Sequence, residues 1–274
     1  MTDKKEAATY THGHHASVLR SHSWRTALNS AAYILPHIKP HMKILDIGCG
    51  PGTITVDLAA YVPDGHITGL DFAGEALTRA RSLAEDRGLT NIDFVEGDAN
   101  NLEHSDGSFD IVICHQVLQH VRDPVGILKE MKRVAKSGGI VAARESDYGA
   151  FVWYPEIEGL EDWRSLYFKV ARNNGGEPNA GRRLHVWAKD AGFMDAKCSM
   201  TSWCYNEKPD VKWWSDTWAE RTSAKSSMLA KTAVDAKFAQ AEDLEKLAQA
   251  WETWGRHEDA WIAVPSAEII CIKS

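Results

Sequence analysis

The chain has 274 residues, with 38 Asp+Glu against 31 Lys+Arg and therefore a formal net charge of −7. That length carries one large domain or two small ones with a full core, which excludes a minimal disulfide- or metal-stapled scaffold. At 44% hydrophobic and 25% charged residues, with no run of about 18 apolar residues, the composition excludes a helical membrane span, and the acidic balance argues against a surface built to grip phosphate backbones.

Residues 1–42 are expected to form a helical arm. Its start, MTDKKEAATY, has no apolar run behind Lys4 and Lys5, so no export signal is read there. The run Thr11-His12-Gly13-His14-His15 has no acid or cysteine at a ligand spacing, so it is read as a polar arm and no metal is expected. From 43 to 146, short apolar runs alternate with helical patterns, the signature of βαβ units on a parallel sheet. Strands are expected at Lys43–Ile47, His66–Asp71, Ile92–Glu96, Phe109–His115 and Ile140–Glu145. The glycine-rich turn Gly48–Gly52 leads into a helix reaching Tyr61. A second helix, Ala73–Arg87, has Leu77, Ala80 and Ala84 on one face and stops at Gly88. A third starts at Asp123-Pro124, an N-cap residue followed by a proline whose missing N–H costs nothing there, and runs to Ala135. Lys136-Ser137-Gly138-Gly139 is read as the turn into the fifth strand.

Beyond 147 the pattern is less regular. Gly159–Asn173 and Gly181–Ala191 read as helices, and Ala196–Tyr205 and Ala263–Ile272 as strands. Lys212–Glu258 reads as helical, with Leu244, Leu247, Ala248, Trp251 and Trp254 in a stripe at helical spacing. Eight of the eleven tryptophans fall between 150 and 252 and none between 30 and 150, so the chain has two compositional regions. Its five cysteines are odd in number and form no C-x-x-C pair, which fits a reducing, cytoplasmic compartment.

The stretch Asp46-Ile47-Gly48-Cys49-Gly50-Pro51-Gly52-Thr53 carries the most chemistry. Glycines at alternate positions after a buried strand and before a helix let a ligand lie against bare backbone. Asp71 ends the next strand, where a carboxylate accepts hydrogen bonds from the ribose hydroxyls of an adenosine. The spacing is wrong for the G-x-G-x-x-G form of dinucleotide sites, and Asp46 would repel a pyrophosphate but suit a ligand bearing an ammonium group.

D-I-G-C-G-P-G, the L-D of Leu70-Asp71, Glu96-Gly97-Asp98-Ala99 and the S-F-D-I-V-I-C-H run ending at His115 together resemble the class I S-adenosylmethionine-dependent methyltransferases. Gln116-Val117-Leu118-Gln119-His120-Val121, Asp123-Pro124 and Leu128-Lys129-Glu130 are similar to those of small-molecule enzymes of the ubiquinone/menaquinone-biosynthesis type. The resemblance spans roughly residues 40–147. It implies S-adenosylmethionine as cofactor and a doubly wound seven-stranded α/β sheet of order 3-2-1-4-5-7-6, the last strand antiparallel. The cofactor core is then 43–147, and 148–274 is an acceptor-side half with a helical lid at 206–260.

The resemblance also assigns cofactor contacts to Asp46, Gly48, Cys49, Gly50, Gly52, Asp71, Phe72, Gly97, Asp98, Ala99, His115 and Gln116, with Tyr10 and Trp24 covering the site from the arm. Candidate catalytic groups are His115, Glu145 and Tyr148; His120 is a further imidazole at the same sheet edge. Trp153, Tyr154, Arg172, Trp213 and Trp214 are the candidate acceptor contacts, and the loop 173–184 lies where such loops carry substrate contacts. The implied reaction is methyl transfer to an oxygen, nitrogen or carbon of a small, aromatic or apolar molecule. A non-methylating cofactor binder and a protein methyltransferase are the alternatives. Nucleic acid is disfavoured, since His115-Gln116-Val117-Leu118 stands where amino-adenine enzymes carry Asn/Asp-Pro-Pro-aromatic. Nothing in the sequence selects between monomer and homodimer.

Overall fold

Five apolar runs in the first half of the chain form parallel strands: β1 (Lys43–Ile47), β2 (His66–Asp71), β3 (Ile92–Glu96), β4 (Phe109–His115) and β5 (Ala135–Ser146). The computed structural model describes residues 24–274, so Tyr10 and the His12–His15 run lie outside the described residues. The described part of the expected N-terminal arm holds only one helical turn, α1 (Ala27–Ser30), and a 3-10 turn at Leu35–His37. The connections between strands are α2 (Thr53–Ala59), α3 (Gly74–Asp86) and α4 (Pro124–Val134). The last starts as expected: the Asp123 carboxylate accepts from Gly126 N, Pro124 follows it, and Ile127, Leu128, Met131 and Val134 are buried against the sheet.

β5 begins five residues earlier than the sequence reading. Gly138, at φ +74°, donates to Lys273 O while Lys273 N donates to Gly139 O, so the expected turn is a strand irregularity. The pairing with β4 shifts there, from Phe109↔Ala135 to Ile111↔Ile140.

The second half adds β6 (Val152–Tyr154), α5 (Leu160–Asn173), α6 (Leu184–Asp190), β7 (Ala196–Tyr205), α7 (Lys208–Ser223), α8 (Met228–Asp235), α9 (Ala241–Arg256) and β8 (Trp261–Ile272). β8 is antiparallel to β5 and to β7, giving the expected order 3-2-1-4-5-8-7 by position. The sheet has eight strands rather than seven. β6 pairs with residues 261–263 of β8, continuing the edge that β5 leaves at Ser266, and buries Trp153 between exposed Val152 and Tyr154. Pro265 is tolerated inside β8 because its carbonyl, accepting Asp147 N, faces that same edge, so its missing N–H points into the gap between β5 and β6. The expected helix 212–258 is three helices, broken before Met228 and again at Lys237, which has φ +57°.

Two cores flank the functional edge. One holds the aliphatic residues of β1, β4, β5 and α4. The other is an aromatic core under α5, α7 and α9, where Trp163 meets Trp218 and Trp251 edge-on at centroid distances of 4.7 and 4.8 Å. No helix among the described residues is long and apolar enough to cross a membrane. Trp251 is fully buried between Trp153, Trp163, Trp218 and Trp254. Trp251→Ala therefore leaves a cavity that neighbouring rings cannot fill, and is expected to lower unfolding stability by about 3–5 kcal/mol in a denaturant titration.

Candidate functional site at the carboxyl edge of the sheet

A cavity of about 750 Å³ opens where the carboxyl ends of β1, β2 and β4 face β7 and α7. On the β1 side Asp46 is buried and accepts from Thr55 Oγ1 at 2.6 Å. Burial pushes its carboxyl up to about 7, with the Asp71 charge adding to the rise. Asp71 organises the neighbouring loop: Gly50 N donates to one carboxylate oxygen and Ala73 N to the other, both at 2.9 Å. Each oxygen keeps a lone pair for a ligand. Gly48 has φ +68°, and a Cβ there would lie 2.4 Å from Val117 Cγ2, so only glycine lets the β1 and β4 loops meet. Cys49, Gly50, Phe72, Gly97, Asp98 and Ala99 complete this half of the lining. Asp98 accepts from the backbone N and side-chain Nδ2 of Asn100, and the Phe72 ring is 66% exposed.

Gly52 differs from its expected role. It precedes α2 at φ +77°, and a Cβ there would stand 2.7 Å from Ala80 Cβ. It lets α2 close on α3 and does not line the cavity.

At the end of β4, His115 and Gln116 both line the cavity. Gln116 has φ +54°; its Oε1 accepts from Arg25 at 2.6 Å and its Nε2 donates to Ser146 Oγ at 2.6 Å. The backbone that follows is held by Glu145. Val117 N and Leu118 N donate to Oε1 at 2.9 and 2.8 Å, and Gln119 N to Oε2 at 3.2 Å. Glu145, expected as a candidate base, is fully buried behind that loop and outside the cavity, with its carboxylate turned to the loop amides. Burial pushes its carboxyl up to about 7 against the three amides that favour the charge.

Tyr148 does line the cavity, stacked on Phe151 and Tyr167 at 4.5 and 4.3 Å. Burial raises its phenol above the usual value, which keeps it protonated. His120 is also in the lining, and burial, followed by the charge of Arg25, lowers its imidazole to about 3.

Of the expected acceptor contacts, Trp213 and Trp214 are in the lining and three are not. Trp153 packs on Trp251 and under the Arg164 guanidinium. Tyr154 is exposed, its carbonyl accepting from Trp254 Nε1. Arg172 is an exposed residue paired with Glu177 at 3.2 Å. Trp24 backs the wall from outside, edge-on to Trp203 and Tyr205 at 5.3 Å each. The loop 173–184 likewise braces the fold, through Arg182 on Asp147 at 2.6 Å.

The sequence reading passed over Arg25, Trp203, Tyr205, Thr217, Trp218 and Arg221, all of which line the cavity. A signal was present for most of them. Trp203 and Tyr205 alternate on one face of a strand, and Trp214, Thr217, Trp218 and Arg221 recur at i, i+3, i+4, i+7 along α7.

The chain is similar to known proteins along its length. The family described as "Methyltransferase domain" matches residues 38–192. An uncharacterized methyltransferase of Schizosaccharomyces pombe is 36% identical over 285 residues, covering 100% of this chain and 99% of that protein. The demethylmenaquinone methyltransferase of Bacillus velezensis is 36% identical over 134 residues, covering 48% of this chain and 55% of that one. Among solved structures, the YcgJ protein of Bacillus subtilis superposes with a TM-score of 0.59 at 18% identity, covering 88% of this chain and 97% of that one.

Glu145→Gln keeps the shape of the side chain but removes the charge that three amides address. It is expected to weaken the hold on the 117–119 loop by about 1–3 kcal/mol, read as roughly 5- to 150-fold faster hydrogen exchange at the Val117, Leu118 and Gln119 amides.

Proposed function

The chain belongs to the methyltransferase family, and from that premise we propose that it moves the methyl group of S-adenosylmethionine to an oxygen, nitrogen or carbon atom of a small aromatic molecule. The observation that carries this reading is one cavity joining two unlike halves. A loop half with Asp46, Asp71 and Asp98 suits an adenosyl amino acid, and a half walled by Trp203, Trp213, Trp214 and Trp218 suits an apolar acceptor. When bound, the cofactor supplies a methyl group activated by its sulfonium.

The chain's own residues supply binding, alignment and exclusion of water. Asp71, already fixed by two amides, fits the ribose hydroxyls, and the buried Asp46 carboxyl fits an ammonium group. Phe72 offers a face for the adenine beside Gly97-Asp98-Ala99. Gln116, held from both sides by Arg25 and Ser146, fixes the boundary between the two halves. A cavity of about 750 Å³ is of the size that takes small molecules, which supports a small acceptor rather than a nucleic acid. The five unpaired cysteines support a cytoplasmic site of action.

Calorimetric titration with S-adenosylmethionine, S-adenosylhomocysteine and a nicotinamide dinucleotide tests the cofactor. Binding of the first two and not the third is expected, followed by release of S-adenosylhomocysteine in the presence of an acceptor; silence from both adenosyl ligands overturns the reading. Asp71→Ala is expected to weaken S-adenosylhomocysteine binding by about 1–3 kcal/mol in the same titration. Asp46 sets a pH dependence. Its carboxyl, pushed up to about 7, gives up its proton as the ammonium group binds. Affinity should therefore rise from pH 6 to pH 8 by up to about tenfold per unit on the acid side, and Asp46→Asn should flatten the profile.

A further inference from the structure

β7 and α7 wall the acceptor half of the cavity, and their buried polar atoms are treated in two ways. Ser215 and Thr222 on α7 lie outside the lining, and both hydroxyls are used within the protein: Ser215 Oγ donates to Trp251 O at 2.9 Å and Thr222 Oγ1 to Trp218 O at 2.7 Å. On β7, Trp203 Nε1 donates to Asn29 O at 2.6 Å. Tyr205, Trp214 and Thr217 do line the cavity, and here the Tyr205 hydroxyl, Trp214 Nε1 and Thr217 Oγ1 have no hydrogen-bond partner. The three residues are 1%, 7% and 2% exposed, so bulk water does not serve these atoms either.

A buried donor left without a partner costs free energy comparable with a lost hydrogen bond, and most buried side-chain polar atoms in proteins therefore have one. The three residues are neighbours: the Tyr205 ring stacks on Trp214 at a centroid distance of 5.0 Å, and Thr217 follows Trp214 by three residues on α7. A threonine in a helix can return its hydroxyl to the carbonyl four residues back, as Thr222 does, and Thr217 does not. An indole N–H only donates. Burial raises the Tyr205 phenol above its usual value, so it keeps its proton and can donate as well. Trp251 Nε1 also lacks a partner, but that ring is enclosed by other indoles outside the cavity, where no ligand is expected. A wholly apolar occupant of the cavity would leave all three wall atoms unpaired, whereas an oxygen on the occupant supplies what they lack.

We propose that Tyr205, Trp214 and Thr217 select the acceptor by an oxygen attached to its ring system, a carbonyl or a hydroxyl, which accepts hydrogen bonds from this set. This rests on the reading of the cavity as a methyl-transfer site and adds to it the polar group that the acceptor must carry. A hydrocarbon ring of the same shape buries the same surface but leaves the wall atoms unpaired, and a site built to hydrogen-bond rejects an analogue that lacks the group more strongly than an apolar pocket rejects a change of size.

Three probes on one bicyclic skeleton test it: 1-tetralone, 1-tetralol and tetralin carry a carbonyl, a hydroxyl and no oxygen, and each is titrated calorimetrically into the protein saturated with S-adenosylhomocysteine. The two oxygenated probes are expected to bind at least about tenfold tighter than tetralin, and the ratio between them separates a carbonyl from a hydroxyl. Tyr205→Phe, Trp214→Phe and Thr217→Val each remove one polar atom, and each is expected to cut that preference several-fold. Equal affinity for tetralin, no binding of either oxygenated probe, or a preference untouched in all three variants overturns the proposal. Should Trp214→Phe fail to fold, the double variant Tyr205→Phe with Thr217→Val carries the test, and an unchanged preference in it overturns the proposal. A second readout separates binding from packing: since Tyr205→Phe and Thr217→Val take away hydroxyls that are unpaired in the free protein, the denaturant midpoint is expected to stay the same or rise. A lowered midpoint in both shows the hydroxyls to be used within the protein, and overturns the proposal. Failure of S-adenosylhomocysteine itself to bind is a different result, and overturns the underlying methyl-transfer reading instead.

Discussion

A buried carboxylate that accepts three backbone amides holds the site together. Glu145 sits on β5, yet its oxygens define the path of residues 117–119 after β4. Val117, so placed, closes on Gly48, and this contact allows no side chain at that glycine. Gln116, one residue earlier, is drawn into a left-handed conformation and joins Arg25 of the N-terminal segment to Ser146 of β5. The ligand-facing loops of β1 and β4 and the first described residues of the chain therefore take their positions from one ionic hydrogen-bond cluster. Such clusters are worth having only when all members are satisfied, because an amide left unpaired in a buried place costs as much as the bond returns.

The parallel half of the sheet was legible because each strand carries a short run of apolar residues, closed after β1 and β3 by a glycine, and those signals act locally. The same holds for the loop with Asp46, Gly50 and Asp71, whose residues are brought together by two consecutive strands and one turn. Glu145 was read as a candidate base because it ends a strand at the correct edge. Whether a side chain there faces the cavity or the next loop depends on the path of residues 116–119, which no local pattern specifies. Gly52 shows the reverse case: it lies inside the motif, yet its freedom is needed for the approach of Ala80 and Phe94.

The aromatic half was less legible for a different reason. Tryptophan supplies both packing and binding surface, and composition does not distinguish the two. Trp153 and Trp214 are equally apolar and similarly buried, but one is enclosed by Trp251 and Arg164 while the other faces the cavity from α7. The distinction lay in periodicity. A helix stripe with an arginine at i+7 from a tryptophan is not plain core, since a core stripe of that width would continue apolar.

The environment of the cavity also narrows how a proton could be handled there. Burial holds Tyr148 as a neutral phenol, and burial with the nearby charge of Arg25 leaves the His120 imidazole with very little basicity. Glu145 is walled off by the amides it accepts. Among the candidate bases this leaves His115, which lines the cavity at 5.9 Å from the Trp203 ring. With so few of these candidate groups able to take a proton, the cavity suits an acceptor whose nucleophilic atom arrives with its lone pair already available.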